Sequence, residues 1–194
     1  MDTTHEQNTL EVQIMAAVAS GDTQAFERLY QAYEKRVFQY VSTFVRDQAV
    51  AEEIVVDVMV AVWRGAYTFT NTSRVSTWIF GIARHKAIDA LRKVIRSEQE
   101  TMELEKVTHL PNPAEGPLES IDRKQVAALT RQAISKLSRE HQEVIRLVFY
   151  EELPYEEIAT LLDIPVNTVK TRVYYAKQQL KQQLDRLLYR ESVS

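Results

Sequence analysis

The chain has 194 residues and a net charge of −3; its four glycines and five prolines amount to about 5% of it, against roughly 12% in average proteins. A β-sandwich or barrel needs a turn every 8–12 residues or so, which this composition does not supply, and the absence of cysteine excludes disulfides, thiolate metal sites and a cysteine nucleophile and fits a reducing compartment. The start of the chain has no basic-then-apolar leader pattern, and its longest apolar run, Val58 to Trp63, is far short of the 18 or so residues of a membrane span. These features predict a cytoplasmic, all-α protein with no membrane insertion.

In chain order, a short helix is expected over about Thr9–Ala19. Asp22 is a good N-cap for a second helix over about Thr23–Val45, whose apolar side holds Phe26, Leu29, Tyr33 and Val37. A third runs from about Ala49 to Arg64, ended by Gly65. Ser73 is expected to cap a fourth, reaching about Arg96. Periodicity then fails. Residues 97–120 are acidic and polar and hold three of the five prolines, the composition of a flexible linker. Beyond it, helices are expected over Ile121–Leu137, over Arg139–Tyr150 behind a Ser138 cap, over Pro154–Leu162, and from Pro165 to about Tyr189. The chain thus divides into 1–96, 97–120 and 121–194.

Charge is distributed unevenly along these blocks. Residues 1–63 carry 10 acids and 4 bases; residues 64–97 carry 7 bases and 1 acid; residues 98–124 and 125–162 are net acidic; residues 163–194 are net +3. Two basic islands in an acidic protein suit a two-point contact with a polyanion, although a solvated helix face explains either island alone.

Residues 154–176, PYEEIATLLDIPVNTVKTRVYYA, have the layout of a helix-turn-helix, two helices joined by the turn Asp163-Ile164-Pro165. At 100° per residue, Val166, Val169, Val173, Ala176, Leu180 and Leu184 form an inward stripe on the second helix. Asn167, Thr168, Thr171, Tyr175 and Gln178 fall on the opposite arc, whose hydrogen-bonding side chains suit base edges. Lys170, Arg172 and Lys177 flank that arc where phosphates would lie. The plainer alternative is a surface helix of a bundle.

The helix behind Ser73 places Arg74, Trp78, His85, Asp89, Arg92 and Arg96 within about 60° of one another by the same wheel. An indole among arginines suits stacking and phosphate contact with unpaired nucleic acid; the alternative is a Trp packed beneath long Arg stems. The polar loop Thr68–Ser73 with its single Phe69 has a composition that could hold an extruded base. The preceding acidic segment groups Glu52, Glu53 and Asp57 without a histidine or further ligand for a metal, so either a basic protein partner or solvent faces it. No nucleophile motif accompanies the four histidines, which argues against an enzyme.

Three segments taken together resemble an ECF-type (extracytoplasmic-function) sigma factor of bacterial RNA polymerase. They are Ala51–Trp63 (AEEIVVDVMVAVW), Ser76–Arg92 (STWIFGIARHKAIDALR) and Tyr155–Arg172 with its YEEIATLL and NTVKTR runs. The resemblance implies two small helical domains, region 2 before the linker and region 4 after it, the latter a helix-turn-helix. It implies that Glu52, Glu53 and Asp57 meet the clamp of the polymerase's largest subunit, and that region 4 meets the flap of the second-largest. Residues of the Phe69–Ser73 loop, Asn71 included, would capture a flipped base of the −10 element, with Arg74, Trp78, Arg84, His85 and Arg92 along the melted strand. Asn167, Thr168, Lys170, Thr171, Arg172, Tyr175 and Lys177 would read the −35 element. An anti-sigma partner is implied as well; no cofactor or metal is. Departures from the family pattern include Val50 and Val56, where the family often has Asp and Gln, and Asp163 at a turn position commonly glycine, which needs a residue tolerant of left-handed backbone. The competing reading is a stand-alone helix-turn-helix regulator, which has no need of the acidic helix or the Trp–Arg face.

Overall fold

A computed structural model describes residues 3–101 and 121–192. Every regular element among them is helical: α1 (Thr3–Ala19), α2 (Thr23–Val41), α3 (Gln48–Gly65), a single 3-10 turn (Ala66–Thr68), α4 (Val75–Thr101), α5 (Ile121–Ser135), α6 (Arg139–Phe149), α7 (Tyr155–Leu162) and α8 (Val166–Ser192). The chain forms two compact units, α1–α4 and α5–α8. No described helix is long and apolar enough to cross a membrane.

Local chemistry sets several of the boundaries. Asp22 accepts from the backbone N–H groups of Gln24 and Ala25 at 2.9 and 3.1 Å, capping α2 as expected. Asp47 does the same for α3 through Val50 N–H at 3.1 Å. Helix α2 stops four residues short of the expected Val45. There the Ser42 hydroxyl donates to the Phe38 carbonyl and the Thr43 hydroxyl to that of Tyr40, and such side-chain bonds compete with the helical ladder. Ser138 accepts from His141 N–H and caps α6. Ser73 does not cap α4. Its hydroxyl donates to the Arg74 carbonyl, and Arg74 is the residue that immediately precedes the helix. Helix α4 also runs on to Thr101, five residues into the segment expected as linker; the rest of that segment, 102–120, lies outside the described residues.

The first unit closes around Phe80 of α4, whose ring lies 5.2 Å from that of Tyr40 and 6.5 Å from that of Tyr33, both on α2. Leu29, Val58, Met59 and Ile79 are buried with them. Burying side chains of this size contributes about 1.5–3 kcal/mol each before entropy is counted. Helix α4 packs chiefly against α3, so the acidic helix and the Arg–Trp helix are neighbours.

In the second unit α8 packs against α5, α6 and α7. Val169, Val173 and Ala176 are buried on it, and Ile158, Ala159 and Leu162 are buried on α7. The expected inward stripe is therefore correct through the turns that meet α7. Asp163 ends α7 with φ 55° and ψ 50°, the left-handed conformation its position demands.

Candidate functional site

Three surfaces carry the candidate residues. On α3, Glu52, Glu53 and Asp57 are all exposed. They are not equivalent: Glu52 accepts a hydrogen bond from Gln48 Nε2 at 2.8 Å, and Asp57 pairs with Lys86 of α4 at 3.5 Å. Two apolar residues share this exposed side, Val56 at 53% and Val60 at 41% exposure. The resemblance already sets Val56 at this surface, where the family often has Gln; Val60 had no such assignment, because period alone assigns a branched aliphatic residue to a core. Residues 52, 56 and 60 succeed one another at helical spacing, so the acidic face has an apolar ridge along it.

The second surface begins at the loop ahead of α4. Asn71 adopts φ 56°, a conformation Asn tolerates better than most residues. Thr70 and Thr72 hydroxyls lie 3.2 Å apart on either side of it, and Ser73 is half-buried. Phe69 is half-buried against Trp78, ring centroids 5.8 Å apart. Trp78 is itself half-buried, while His85 and Arg92 are exposed and Arg74 and Arg84 intermediate. Arg92 lies 3.3 Å from Asp89, one turn away, so the acid on this face is partly neutralised by a neighbour. The loop and the indole are thus joined through Phe69, with Arg74 just ahead of α4 and Arg84 and His85 in its first half; Arg92 lies four turns along the helix from Trp78.

The third surface is the outer arc of α8. Asn167, Thr171, Tyr175, Lys170 and Lys177 are exposed; Thr168 and Arg172 are half-buried. Thr171 donates its hydroxyl proton to the Asn167 carbonyl at 2.9 Å, which leaves its oxygen free to accept. Tyr174 and Tyr175 meet edge to face at 5.4 Å, and Gln178 donates to the Tyr174 hydroxyl at 2.8 Å. Lys177 stands over the Phe149 ring of α6 at 5.0 Å, so its ammonium is held against an aromatic face.

Electrostatics favour an ordered frame beneath this arc. The Glu140 carboxyl is held below the usual carboxylate range, chiefly by its own backbone N–H against a burial penalty, with help from the Ser138 hydroxyl, Arg139 and Arg172. Arg172 thus contributes a favourable positive charge near the start of α6. Burial lowers the Arg146 guanidinium from its ordinary value, opposed by Glu151 and Tyr150; Arg146 also stands over the Tyr150 ring at 4.9 Å.

Two family models match the chain: Sigma-70 region 2 over residues 29–96 and Sigma-70, region 4 over residues 128–180. The chain is 30% identical to the ECF RNA polymerase sigma factor RpoE of Cereibacter sphaeroides, covering 84% of this chain and 88% of that protein. It is 30% identical to the ECF RNA polymerase sigma factor SigW of Bacillus subtilis, covering 86% and 92%. It is 28% identical to the RNA polymerase sigma-H factor of Pseudomonas aeruginosa, covering 91% and 94%. Among solved structures, the sigma factor RpoE of Bartonella quintana, crystallised with the anti-sigma factor NepR, matches with TM-score 0.66 at 21% identity over 82% of this chain and 96% of that one. CnrH, in complex with the cytosolic domain of CnrY, matches with TM-score 0.62 at 22% identity over 91% and 97%. These two likenesses are likenesses of fold.

Proposed function

Because the chain belongs to the ECF RNA polymerase sigma factors, we propose that its three surfaces divide promoter recognition among them. As a sigma factor it directs RNA polymerase core to promoters through their −35 and −10 elements and promotes melting for initiation; members of this family are specificity subunits and not enzymes. Its place of work is the cytoplasm, where polymerase and promoters are.

In this reading Glu52, Glu53 and Asp57 engage basic groups on the clamp of the largest polymerase subunit, while the α5–α8 unit meets the flap of the second-largest. The loop from Phe69 through Asn71 to Ser73 takes the extruded −10 base, and Arg74, Trp78, Arg84, His85 and Arg92 hold the displaced strand. On α8, Asn167, Thr168, Thr171 and Tyr175 read −35 base edges while Lys170, Arg172 and Lys177 meet phosphates. An anti-sigma factor is proposed as a further partner, as RpoE of Bartonella quintana has.

The observation that carries this reading is the packing of α3 on α4, which sets an exposed acidic face beside a Trp–Arg face in one unit. A stand-alone regulator using the helix-turn-helix alone needs neither. The test is capture of polymerase core from the host by the tagged full chain, followed by transcription with purified core and promoter DNA. Promoter-dependent transcripts that require the added chain are expected. Tight duplex binding by the free chain, with no core captured, would favour the stand-alone regulator instead.

A further inference from the structure

Lys86 makes an ionic link between α4 and α3. Its Nζ lies 3.5 Å from Asp57 Oδ2, with the two side chains 37% and 60% exposed. Asp57 belongs to the acidic face with Glu52 and Glu53; Lys86 follows Arg84 and His85 on the basic helix and belongs to neither candidate set. The neighbouring acid on α4, Asp89, already has Arg92 at 3.3 Å, and Glu52 has Gln48. Lys86 is thus a cation placed where it subtracts from the acidic face and adds to the basic one.

The signs follow from Coulomb's law. A basic group of a protein partner approaching Asp57 meets a carboxylate whose charge is already shared with an ammonium, so Lys86 weakens that approach. A phosphate approaching α4 meets an additional cation, so Lys86 strengthens that one. We propose that Lys86 is a positioning residue that restrains Asp57 in the free factor and, when the polymerase takes Asp57, turns its charge to the displaced DNA strand. Polymerase binding and single-strand binding are then coupled through one side chain. The proposal rests on the assignment of Glu52, Glu53 and Asp57 to the polymerase.

The test uses the full chain and the reconstituted polymerase complex. Lys86→Gln should tighten core binding about two- to fivefold at low salt, the range of an exposed ion pair, and the gain should fade as salt screens it. The same variant, in complex with core, should bind the non-template −10 strand of a promoter two- to fivefold more weakly. Opposite changes in the two affinities are a signature that a purely structural role for Lys86 cannot produce. Lys86→Arg should preserve both affinities, and in an Asp57→Asn background Lys86→Gln should no longer tighten core binding. Unchanged or weaker core binding by Lys86→Gln, or a gain that persists without Asp57, overturns the proposal. Glu53→Gln separates the two layers: if it leaves core binding intact, the assignment of the acidic face falls and this proposal with it. If Glu53→Gln weakens core binding while Lys86→Gln changes neither affinity, the coupling alone is wrong.

Discussion

The rings of Phe69 and Trp78 meet edge to face, centroids 5.8 Å apart and planes inclined by 61°, so the loop ahead of α4 is fastened to that helix by an aromatic pair. Such a pair contributes about 0.5–1.5 kcal/mol beyond its area burial. The indole also runs past Gly65, where an added Cβ would stand 3.5 Å from Trp78 Cζ2 and 3.6 Å from Cη2. Trp78 remains only half-buried. Packing and openness, alternatives in the sequence, coexist on this one ring.

Trp78→Ala should therefore have two effects. It should cost stability, but less than the roughly 3–5 kcal/mol of a fully buried ring. It should also leave core binding intact while reducing open-complex formation, since stacking contributes about 1–3 kcal/mol per base. Thermal melting together with permanganate footprinting on duplex and pre-melted templates checks both. Partial rescue on the pre-melted template is expected; no rescue at all would assign Trp78 to packing alone.

The recognition helix should show a division of labour. Thr171→Ala and Tyr175→Ala should change which −35 sequences are preferred, because both side chains lie exposed on the base-facing arc. Lys177→Gln should weaken all promoters about equally and reduce the salt slope by about one. Selection from randomised −35 elements by the polymerase complex reads the first effect, and a salt titration reads the second. Unchanged preference in both arc variants would mean that α8 is rotated on the DNA.

Asp163 pays a backbone penalty that glycine avoids. At φ 55° and ψ 50°, an L-residue is strained by about 1–2 kcal/mol, somewhat less for Asp. Asp163→Gly should raise the melting temperature of the second unit or leave it unchanged, and Asp163→Val should lower it. Calorimetry on the full chain distinguishes the two.

The Tyr33 hydroxyl is buried in the first unit between Glu11 and Arg36 without a well-formed hydrogen bond, and burial, with the neighbouring Glu11 carboxylate, pushes its pKa far up. An unsatisfied buried hydroxyl costs about 1–3 kcal/mol. Tyr33→Phe keeps the ring contacts with Phe80 and Arg36 and should be neutral or stabilising in thermal unfolding; a clear loss of stability would reveal a bond that the hydroxyl makes.

Much of the architecture was legible because it is local. Asp22 and Ser138 cap the helices they were expected to cap, and the Val169–Val173–Ala176 stripe is buried at the spacing that predicts it. The misses are tertiary or competitive. Ser73 looked like a cap by residue type, yet its hydroxyl turns to the next carbonyl. Val60 follows a core-like pattern and stands exposed, since no periodicity shows which side of a largely apolar helix lacks a neighbour. The Lys86–Asp57 pair and the seat of Lys177 on Phe149 join residues 29 and 28 positions apart, beyond the reach of any helical wheel.

The central claim is that this chain confers promoter choice on polymerase. The most direct measurement is transcription of host genomic DNA by purified core with and without the full chain, with transcript 5′ ends mapped. New starts that share one −35 and one −10 sequence at a fixed spacing, and that disappear when the chain is omitted, are the expected result. Starts that are indifferent to the added chain, with the free protein bound tightly to duplex sites of its own, would contradict it.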